Sequence, residues 1–341
     1  MSLKVKDIAT MLGLSPATVS LVLNGKPGIS ESTRQKVFSL VKELGYPELL
    51  PEEKEGTKSI GFVIYKNRKV IVSETPFFFQ LMEGIELRCR AYGYKLMISY
   101  LYEETNSQDT LKEITQGGCE GVILLATEMR TADLKPFSSL SLPLVVLDSY
   151  FEREKFDSVV INNTHGAYEA TDYLAKLGHK KIGYLRSNYS IKNFQARYEG
   201  FSKAMKANNI YLNPEYIIEL GSSMETSYEA MRRHLAAGLS LPTAYFAEND
   251  LIALGAIKAL KEKGIRTPED ISIIGFDDTP LSQVTVPELT TIRVPKQRMG
   301  MLAVDRLVTR INDNPEEFVK IEVGTNLVVR DSVKPFEQSS H

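Results

Sequence analysis

Cysteine, histidine and long apolar runs are scarce in this chain of 341 residues, and each shortage excludes a class of protein. The two cysteines, Cys89 and Cys119, cannot build a disulfide framework and lack metal-ligand spacing, so we expect buried free thiols in a reducing compartment. No apolar run approaches the roughly 18 residues of a membrane span, and no charged-then-apolar signal segment opens the sequence. These absences predict a cytoplasmic protein.

Catalytic motifs are missing as well. The sequence has no G-x-S-x-G, no P-loop and no histidine pair at metal-binding spacing. Its four histidines are scattered at positions 165, 179, 234 and 341. We therefore expect no catalytic residue, no metal and no cofactor, and we interpret the chain as a binding protein rather than an enzyme.

Residues 5–24 have the pattern of two short helices joined by a tight corner. Ile8 and Leu12 would lie on one apolar face of the first helix. Gly13 stands at the corner, where a positive φ costs glycine least, and Ser15 would cap the second helix. This is the layout of a helix-turn-helix, although an ordinary helical hairpin in a core has the same pattern.

The second helix would bury Val19 and Val22 and would leave an outward face, made of Pro16, Ala17, Ser20 and Leu21. In a helix-turn-helix that face enters the DNA major groove. The first 50 residues carry six basic and four acidic side chains, while the whole chain has a net charge of −2. A modestly basic head on an acidic body suits a nucleic-acid contact confined to the N-terminus.

A third helix is predicted over residues 30–45, with Ser30 as its N-cap and Gly45 at its end. Residues 47–58 then break the pattern, because they contain two prolines, one glycine and four glutamates. We therefore predict a helical domain of residues 1–46 and a hinge or linker of residues 47–58.

From residue 59 onward, short apolar β-rich runs alternate with segments of helical spacing. Eight strands are predicted, at 59–65, 95–101, 121–126, 143–148, 158–163, 181–186, 243–249 and 271–278. Continuous apolar strands separated by helices are typical of a parallel sheet covered on both faces. Because eight strands exceed what one compact half needs, we predict an α/β fold with two doubly wound parallel-sheet subdomains and ligands at the carboxyl ends of the strands. One more strand precedes a tail of residues 337–341.

Five stretches resemble the lactose/galactose-repressor family of bacterial transcription regulators, and the resemblance covers residues 4–336. They are VKDIATMLGLSPATVSLVLNG, SESTRQKVFSLVKELGY, ARYEGF, AENDLIALGAIKAL and PEDISIIGFDDTPLSQVTVPELTTI. The family has a helix-turn-helix head, a hinge and a body shaped like a periplasmic sugar-binding protein. The resemblance implies that residues 59–336 form an effector-binding and dimerisation domain. One subdomain would be 59–161 plus 292–323, and the other 162–291 plus 324–336.

The resemblance implies contacts with base edges from Pro16, Ala17 and Leu21. None of the three can make a bidentate hydrogen bond, so we expect sequence readout through apolar contact or DNA shape. The residues implied to contact phosphates are Ser15, Thr18, Ser20, Asn24, Ser30 and Tyr46.

The hinge departs from the family, in which a basic segment wedges leucine into the minor groove. Here four glutamates surround Leu49 and Leu50, and carboxylates are repelled by phosphate. Two prolines restrict a continuous helix. We hypothesise that the hinge helix is absent or shortened, with Leu49 and Leu50 as the wedge candidates and packing on the body as their alternative role.

For the effector, the resemblance implies polar contacts from Arg197, Asn249 and Asp277 in the second subdomain. The arginine fork can hold two ligand hydroxyls, and Asn249 and Asp277 end predicted strands. Asp148 is the matching candidate from the first subdomain, and Asp278 is the competitor of Asp277.

The aromatic run after Pro76 offers a stacking surface for a ligand through Phe77 and Phe78, although aromatic residues at a helix start also serve as core. A polar and aromatic lining favours a neutral carbohydrate. A sugar phosphate held by Lys192 or Lys296 is the alternative, and a purine is disfavoured.

We therefore predict a cytoplasmic, homodimeric repressor of sugar-utilisation genes. Its affinity for a palindromic operator would be controlled by a small carbohydrate or sugar phosphate bound between two lobes. The alternatives are a regulator with a protein corepressor, and a ligand-binding protein without a DNA role. No membrane partner is expected, and the tail lacks the leucine heptads of a tail-assembled tetramer.

Overall fold

The computed structural model describes residues 5–24, 29, 31–46, 58–67, 72, 76–104 and 107–336. The chain divides into two compact units, Met1–Lys58 and Ser59–His341. The predictions for Ser30, Leu49 and Leu50 lie outside the described residues, as do most of the linker and the tail.

The first unit contains three helices in its described part: α1 (Val5–Leu12), α2 (Pro16–Leu23) and α3 (Glu31–Glu43). Their shared core consists of fully buried small and branched side chains, namely Ile8, Ala9, Val19, Val22, Val37 and Val41. Gly13 adopts a φ of +64° at the corner, as predicted. Among the described helices none alone is long and apolar enough to span a membrane; only α1 and α2 taken together pass that test, and they are bent by 114°.

The second unit contains the strands. In chain order they are β1 (Ser59–Lys66), β2 (Lys95–Tyr102), β3 (Cys119–Leu125), β4 (Leu144–Leu147), β5 (Asp157–Ile161), β6 (Ile182–Ser187), β7 (Ile217–Leu220), β8 (Ala244–Ala247), β9 (Ser272–Asp277), β10 (Thr290–Arg293), β11 (Lys320–Val323) and β12 (Asn326–Val328). They form one sheet in the order β11-β5-β4-β3-β1-β2 and another in the order β12-β10-β9-β8-β6-β7. All neighbours are parallel except β10 and β12.

Seven helices cover these sheets in the described residues. They are α4 (Phe77–Ala91), α5 (Ser107–Gln116), α6 (Asn163–Lys176), α7 (Lys192–Ala207), α8 (Met224–Ala236), α9 (Asp250–Glu262) and α10 (Lys296–Asp313). Helices α4, α5 and α10 pack with the first sheet, and we call this assembly the first lobe; α6 to α9 and the second sheet form the second lobe.

The predicted fold class is confirmed: both sheets are parallel-dominated and covered by helices. Sequence analysis missed β7, β10 and β11, each only four residues long. In β11 half-buried and exposed positions alternate, because it lies at a sheet edge, so it lacks the continuous apolar run on which the prediction relied. The residue boundaries of the two subdomains remain a prediction.

The chain crosses from one sheet to the other after β5, after β10 and after β11. Helix α10 begins after the second crossing and packs so closely against α4 that the two backbones are in contact. A Cβ at Gly84 would sit 2.0 Å from the carbonyl oxygen of Gln297, and one at Gly300 would sit 2.3 Å from that of Leu81. Only glycine permits this approach.

Candidate functional site

The outward face of α2 is small and uncharged. Ser15 caps the helix, since its Oγ accepts a hydrogen bond from the Thr18 backbone N–H at 3.0 Å, and Pro16 occupies the first helical position. Pro16, Ala17 and Leu21 are exposed, and Leu21 keeps 40% of its surface accessible. The structure therefore places the three predicted base-contacting residues together on one face.

The predicted phosphate contacts differ in exposure. Ser15 and Asn24 are exposed, whereas Thr18, Ser20 and Tyr46 are half-buried. The amide of Asn24 donates to the Ser20 carbonyl oxygen at 2.7 Å, so it also closes the end of α2. The side chain of Tyr46 packs against the core of the first unit.

A small cavity lies between the two lobes, at the carboxyl ends of strands from both sheets. Its volume is about 20 Å³, room for about one water molecule. All six predicted effector-binding residues line it. The full lining is Phe77, Phe78, Thr127, Asp148, Ile161, Ile191, Asn193, Phe194, Arg197, Asn249 and Asp277.

Arg197 is the most completely engaged of these side chains, with 3% of its surface exposed. Its Nη2 lies 3.2 Å from Asp277 Oδ1, its Nε donates to Asn163 Oδ1 at 2.8 Å, and its Nη1 donates to the Glu248 carbonyl oxygen. The guanidinium lies 3.7 Å from the ring centre of Phe276. The sequence around ARYEGF predicts a helix that begins at Arg197, and this is wrong by more than one turn because α7 begins at Lys192.

Asp148 connects the lobes. It follows β4 with a φ of +64°, and its Oδ2 accepts from Thr127 Oγ1 at 2.7 Å. From the second lobe, Asn193 Nδ2 donates to Asp148 Oδ1 at 3.0 Å. Burial raises the pKa of Asp148 to about 6, although Thr127, Arg197 and Asn193 favour the charged form.

Asp277 and its neighbour Asp278 have different roles. Asp277 ends β9 with a φ of +109° and faces the cavity, and burial raises its pKa against the attraction of Arg197 and Lys296. Asp278 pairs instead with Arg293 and Arg330, each at 2.6 Å. The geometry thus places Asp277, rather than Asp278, at the cavity.

The three phenylalanines that follow Pro76 also differ in their burial. Phe77 and Phe78 are buried and meet edge to face, with ring centres 5.1 Å apart, whereas Phe79 is 71% exposed. The predicted phosphate-binding lysines point elsewhere. Lys296 Nζ donates to the carbonyl oxygens of Asp277 and Asp278, and Lys192 Nζ donates to that of Tyr150.

Sequence reasoning missed five lining residues, namely Thr127, Ile161, Ile191, Asn193 and Phe194. Thr127 follows β3 at the same sheet edge as Asp148, so the strand-end rule applied to every strand would have found it. Asn193 and Phe194 lie in the first turn of α7, which begins before the ARYEGF segment.

The cysteines do not take part in this site. Both are buried and free, and burial raises the pKa of Cys89 to about 12. In the part of the chain that the structure describes, no group of histidine, cysteine and carboxylate side chains could hold a metal ion.

Two family models match the chain. The model of bacterial regulatory proteins of the lacI family matches residues 4–47, and that of the periplasmic binding protein-like domain matches residues 171–333. The first match covers the three helices and the second covers most of the second lobe.

Curated relatives match along their whole length. The HTH-type transcriptional repressor PurR of Pasteurella multocida (strain Pm70) is 36% identical over 335 residues, which are 97% of this chain and 98% of that protein. The PurR of Haemophilus influenzae (strain PittEE) is 36% identical over 338 residues, with the same coverage. Both are named as repressors, which agrees with the prediction that the chain is not an enzyme.

Solved structures share the fold. A LacI family regulator from Enterococcus faecium with bound ribose has a TM-score of 0.71 and 28% identity, and the match covers 82% of this chain and all of that one. The lac repressor dimer bound to operator and the anti-inducer ONPF has a TM-score of 0.71 and 24% identity over 98% of this chain and all of that one.

Proposed function

Because the chain belongs to the lacI family of bacterial regulatory proteins and is a DNA-binding transcriptional repressor, we propose that a neutral sugar controls its affinity for operator DNA. The sugar would bind between the two lobes, among the residues around Arg197, and the lobes would have to move apart to admit it because the cavity now has room for about one water molecule. The observation that carries this proposal is the meeting of Asp148, Arg197, Asn249 and Asp277 with Phe77 and Phe78 around one cavity.

The lining suits a sugar because sugar hydroxyls both donate and accept hydrogen bonds. The carboxylates of Asp148 and Asp277 accept, whereas the guanidinium of Arg197 and the amides of Asn193 and Asn249 donate. The aromatic rings supply an apolar wall for the carbon face of a ring. The ribose bound to the Enterococcus faecium regulator supports the same ligand class.

The fixed charges favour a neutral ligand over a phosphate. Two carboxylates face one guanidinium, so the lining is negative when all three are ionised. Lys296 attracts the Asp277 carboxylate from where it lies, but its Nζ and that of Lys192 donate to backbone carbonyl oxygens, so neither lysine could donate to a phosphate without giving up such a bond. Placing a phosphate beside buried carboxylates is unfavourable in a site with little water.

On the DNA side, α2 would enter the major groove with Pro16, Ala17 and Leu21 towards the base edges. Phosphate contacts would come from Ser15, Thr18, Ser20, Asn24, Ser30 and Tyr46. Leu49 and Leu50 keep their two proposed roles, as a minor-groove wedge or as part of the packing on the body. A Leu50→Ala variant with unchanged operator affinity would eliminate the wedge.

Two copies of the chain would bind one palindromic operator. The edge strand β2 exposes apolar side chains, with Ile98 at 46% and Tyr100 at 49%, and an uncovered apolar sheet edge is a pairing surface. Effector binding would change the arrangement of the lobes and thereby the affinity for DNA. The size of that change is limited by the difference between the effector's affinities for the two lobe arrangements.

Operator footprinting with a panel of ligands tests this function. The panel contains d-ribose, d-glucose and cellobiose, their phosphates, and a purine base. We expect one neutral sugar to shift the half-protection concentration of the wild type by about tenfold, a coupling of ordinary size. Arg197→Ala should abolish the shift, and Arg266→Ala, at an exposed arginine of the same lobe, should keep it.

Three results would contradict the proposal. A response only to phosphates or to the purine would reject the neutral sugar. A regulatory response that persists in Arg197→Ala would favour a protein corepressor. Protection of no palindromic DNA at all would reject the operator model.

A further inference from the structure

Glu248 is a buried carboxyl group beside the cavity that does not line it. It follows β8 and is 5% exposed. Its Oε1 accepts a hydrogen bond from the Tyr184 hydroxyl at 3.1 Å, and its Oε2 accepts one from the Ser187 backbone N–H at 2.6 Å. The side chain therefore ties the end of β8 to the neighbouring strand β6.

The backbone of the same residue holds the cavity residues. The carbonyl oxygen of Glu248 accepts from Arg197 Nη1. The next residue, Asn249, lines the cavity and caps α9 by accepting from the Ile252 backbone N–H at 2.8 Å. A displacement of the Glu248 peptide would move the acceptor of Arg197 and the side chain of Asn249 together.

Both hydrogen-bond partners of the Glu248 carboxyl group are also connected to α7. The ring of Tyr184 packs against Tyr198 and Phe201 of that helix, with centres 5.2 Å and 4.9 Å apart. Ser187 ends β6, and α7 begins five residues later at Lys192, with Asn193 and Arg197 in its first two turns. The carboxyl group thus fixes the element that carries two polar cavity residues.

Burial disfavours the charged form of the Glu248 carboxyl group, even with two arginines nearby. Burial raises its pKa to about 7, against the hydrogen bonds from Ser187 and Tyr184 and the attraction of Arg197 and Arg186. Tyr184 and Arg186 face it from β6, and Arg197 from α7. Burying a carboxyl group is unfavourable, so Glu248 contributes to the structure through its two hydrogen bonds rather than through the volume that it fills.

We propose that Glu248 is a positioning residue for the effector: its carboxyl group holds β6 and the start of α7 so that Arg197 and Asn193 face the ligand. The ligand part of this inference rests on the proposed function, whereas the positioning part concerns the free chain.

Two variants of equal side-chain length separate the hydrogen bonds from the packing. Glu248→Gln keeps an acceptor for the Ser187 N–H and offers a donor to the Tyr184 oxygen. Glu248→Met fills a similar volume without an acceptor for that N–H. Glu219→Gln and Glu219→Met are the matched controls, because Glu219 lies exposed on β7 and pairs with Arg186 at the surface.

Amide hydrogen exchange of residues 187–197 in the full-length free chain gives the first readout. We expect Glu248→Met to exchange about tenfold faster than wild type there, the effect of a buried amide left without its acceptor. Glu248→Gln should restore near wild-type exchange, and the Glu219 variants should not differ from wild type. If Glu248→Met fails to fold, Tyr184→Phe removes one of the two hydrogen bonds and should accelerate exchange in the same residues.

Calorimetric titration with d-ribose gives the second readout. Glu248→Met should weaken binding by about tenfold and Glu248→Gln by less than threefold, since only the former loses the acceptor. Wild-type exchange in Glu248→Met, or faster exchange with unchanged ribose affinity, would overturn the positioning role. If the wild type does not bind d-ribose, that result excludes ribose as the effector, and the exchange measurement alone decides the role of Glu248.

Discussion

Arg197 and Asp277 form a buried ion pair across the second lobe, with Nη2 and Oδ1 3.2 Å apart and only 4% and 8% of the two side chains exposed. Arg197 comes from α7 and Asp277 from the end of β9, so the pair joins a helix to a strand end. Its other hydrogen bonds go to Asn163, the first residue of α6, and to the carbonyl oxygen of Glu248, so the guanidinium also connects α7 to α6 and to the end of β8.

Arg197→Ala should destabilise the chain by about 3–5 kcal/mol, because it leaves the Asp277 carboxylate buried without its partner. Urea unfolding of the full-length protein measures this change. The control is Arg266→Ala, whose exposed pair with Asp270 should contribute no more than about 1 kcal/mol. Equal midpoints for the two variants would contradict the buried pair.

Asp148 should make stability depend on pH. Burial raises its folded-state pKa to about 6, above the ordinary value near 4. The folded state therefore binds the proton more tightly, so this stabilisation is full at low pH and is lost as pH rises through about 6. Relative to Asp148→Asn, the unfolding free energy of the wild type should fall by on the order of 2 kcal/mol between about pH 4 and 7.

Chemical unfolding at several pH values checks the Asp148 prediction. Asp270→Asn provides a control of opposite sign, because hydrogen bonds from Arg266 lower the pKa of that exposed carboxyl group. Parallel pH curves for the wild type and Asp148→Asn would show that Asp148 does not titrate in this range.

A positive charge in place of Leu21 should increase the salt dependence of DNA binding. It is 40% exposed on α2 and has no charge. Leu21→Arg should therefore steepen the plot of log affinity against log salt by about 0.9, the value for one added phosphate contact. Fluorescence anisotropy with operator and unrelated DNA measures the slope, and Tyr211→Arg, an exposed site in the second unit, is the control. An unchanged slope would place Leu21 away from the DNA.

Ile98 should contribute to self-association. It is 46% exposed on the edge strand β2, beside Tyr100. Ile98→Asp places a charge on that apolar surface and should convert a dimer into the 38.2 kDa monomer at micromolar concentration. Sedimentation equilibrium measures the mass, with Tyr211→Asp as the control at an 80% exposed site. A wild type that sediments as a monomer, or a dimeric Ile98→Asp, would exclude this surface.

Sequence alone predicted the parts of the fold that have a local signature. Strands buried on both faces, such as β3 and β8, read as continuous apolar runs. The short edge strand β11 does not, because its side chains alternate in burial and its neighbour β5 is more than 150 residues away. The pairing of two strands that lie so far apart in the chain produces no pattern in the sequence of either strand.

The same limit applies to the cavity. Asp148, Asn249 and Asp277 could be found because each follows or ends a strand, where a parallel sheet collects polar groups. Asn193 was missed because it lies in the first turn of α7 and not at a strand end. The bond between Glu248 and Tyr184 spans 64 residues and follows only from the order of the strands.

The close contact between α4 and α10 has a mechanical consequence. Lys296, the first residue of α10, is anchored to carbonyl oxygens of the second lobe, and Phe77 begins α4 at the cavity. The backbones of the two helices meet at Gly84 and Gly300, where a Cβ would collide with the facing carbonyl oxygen. We therefore expect a movement of the second lobe that displaces Lys296 to move α4 together with α10.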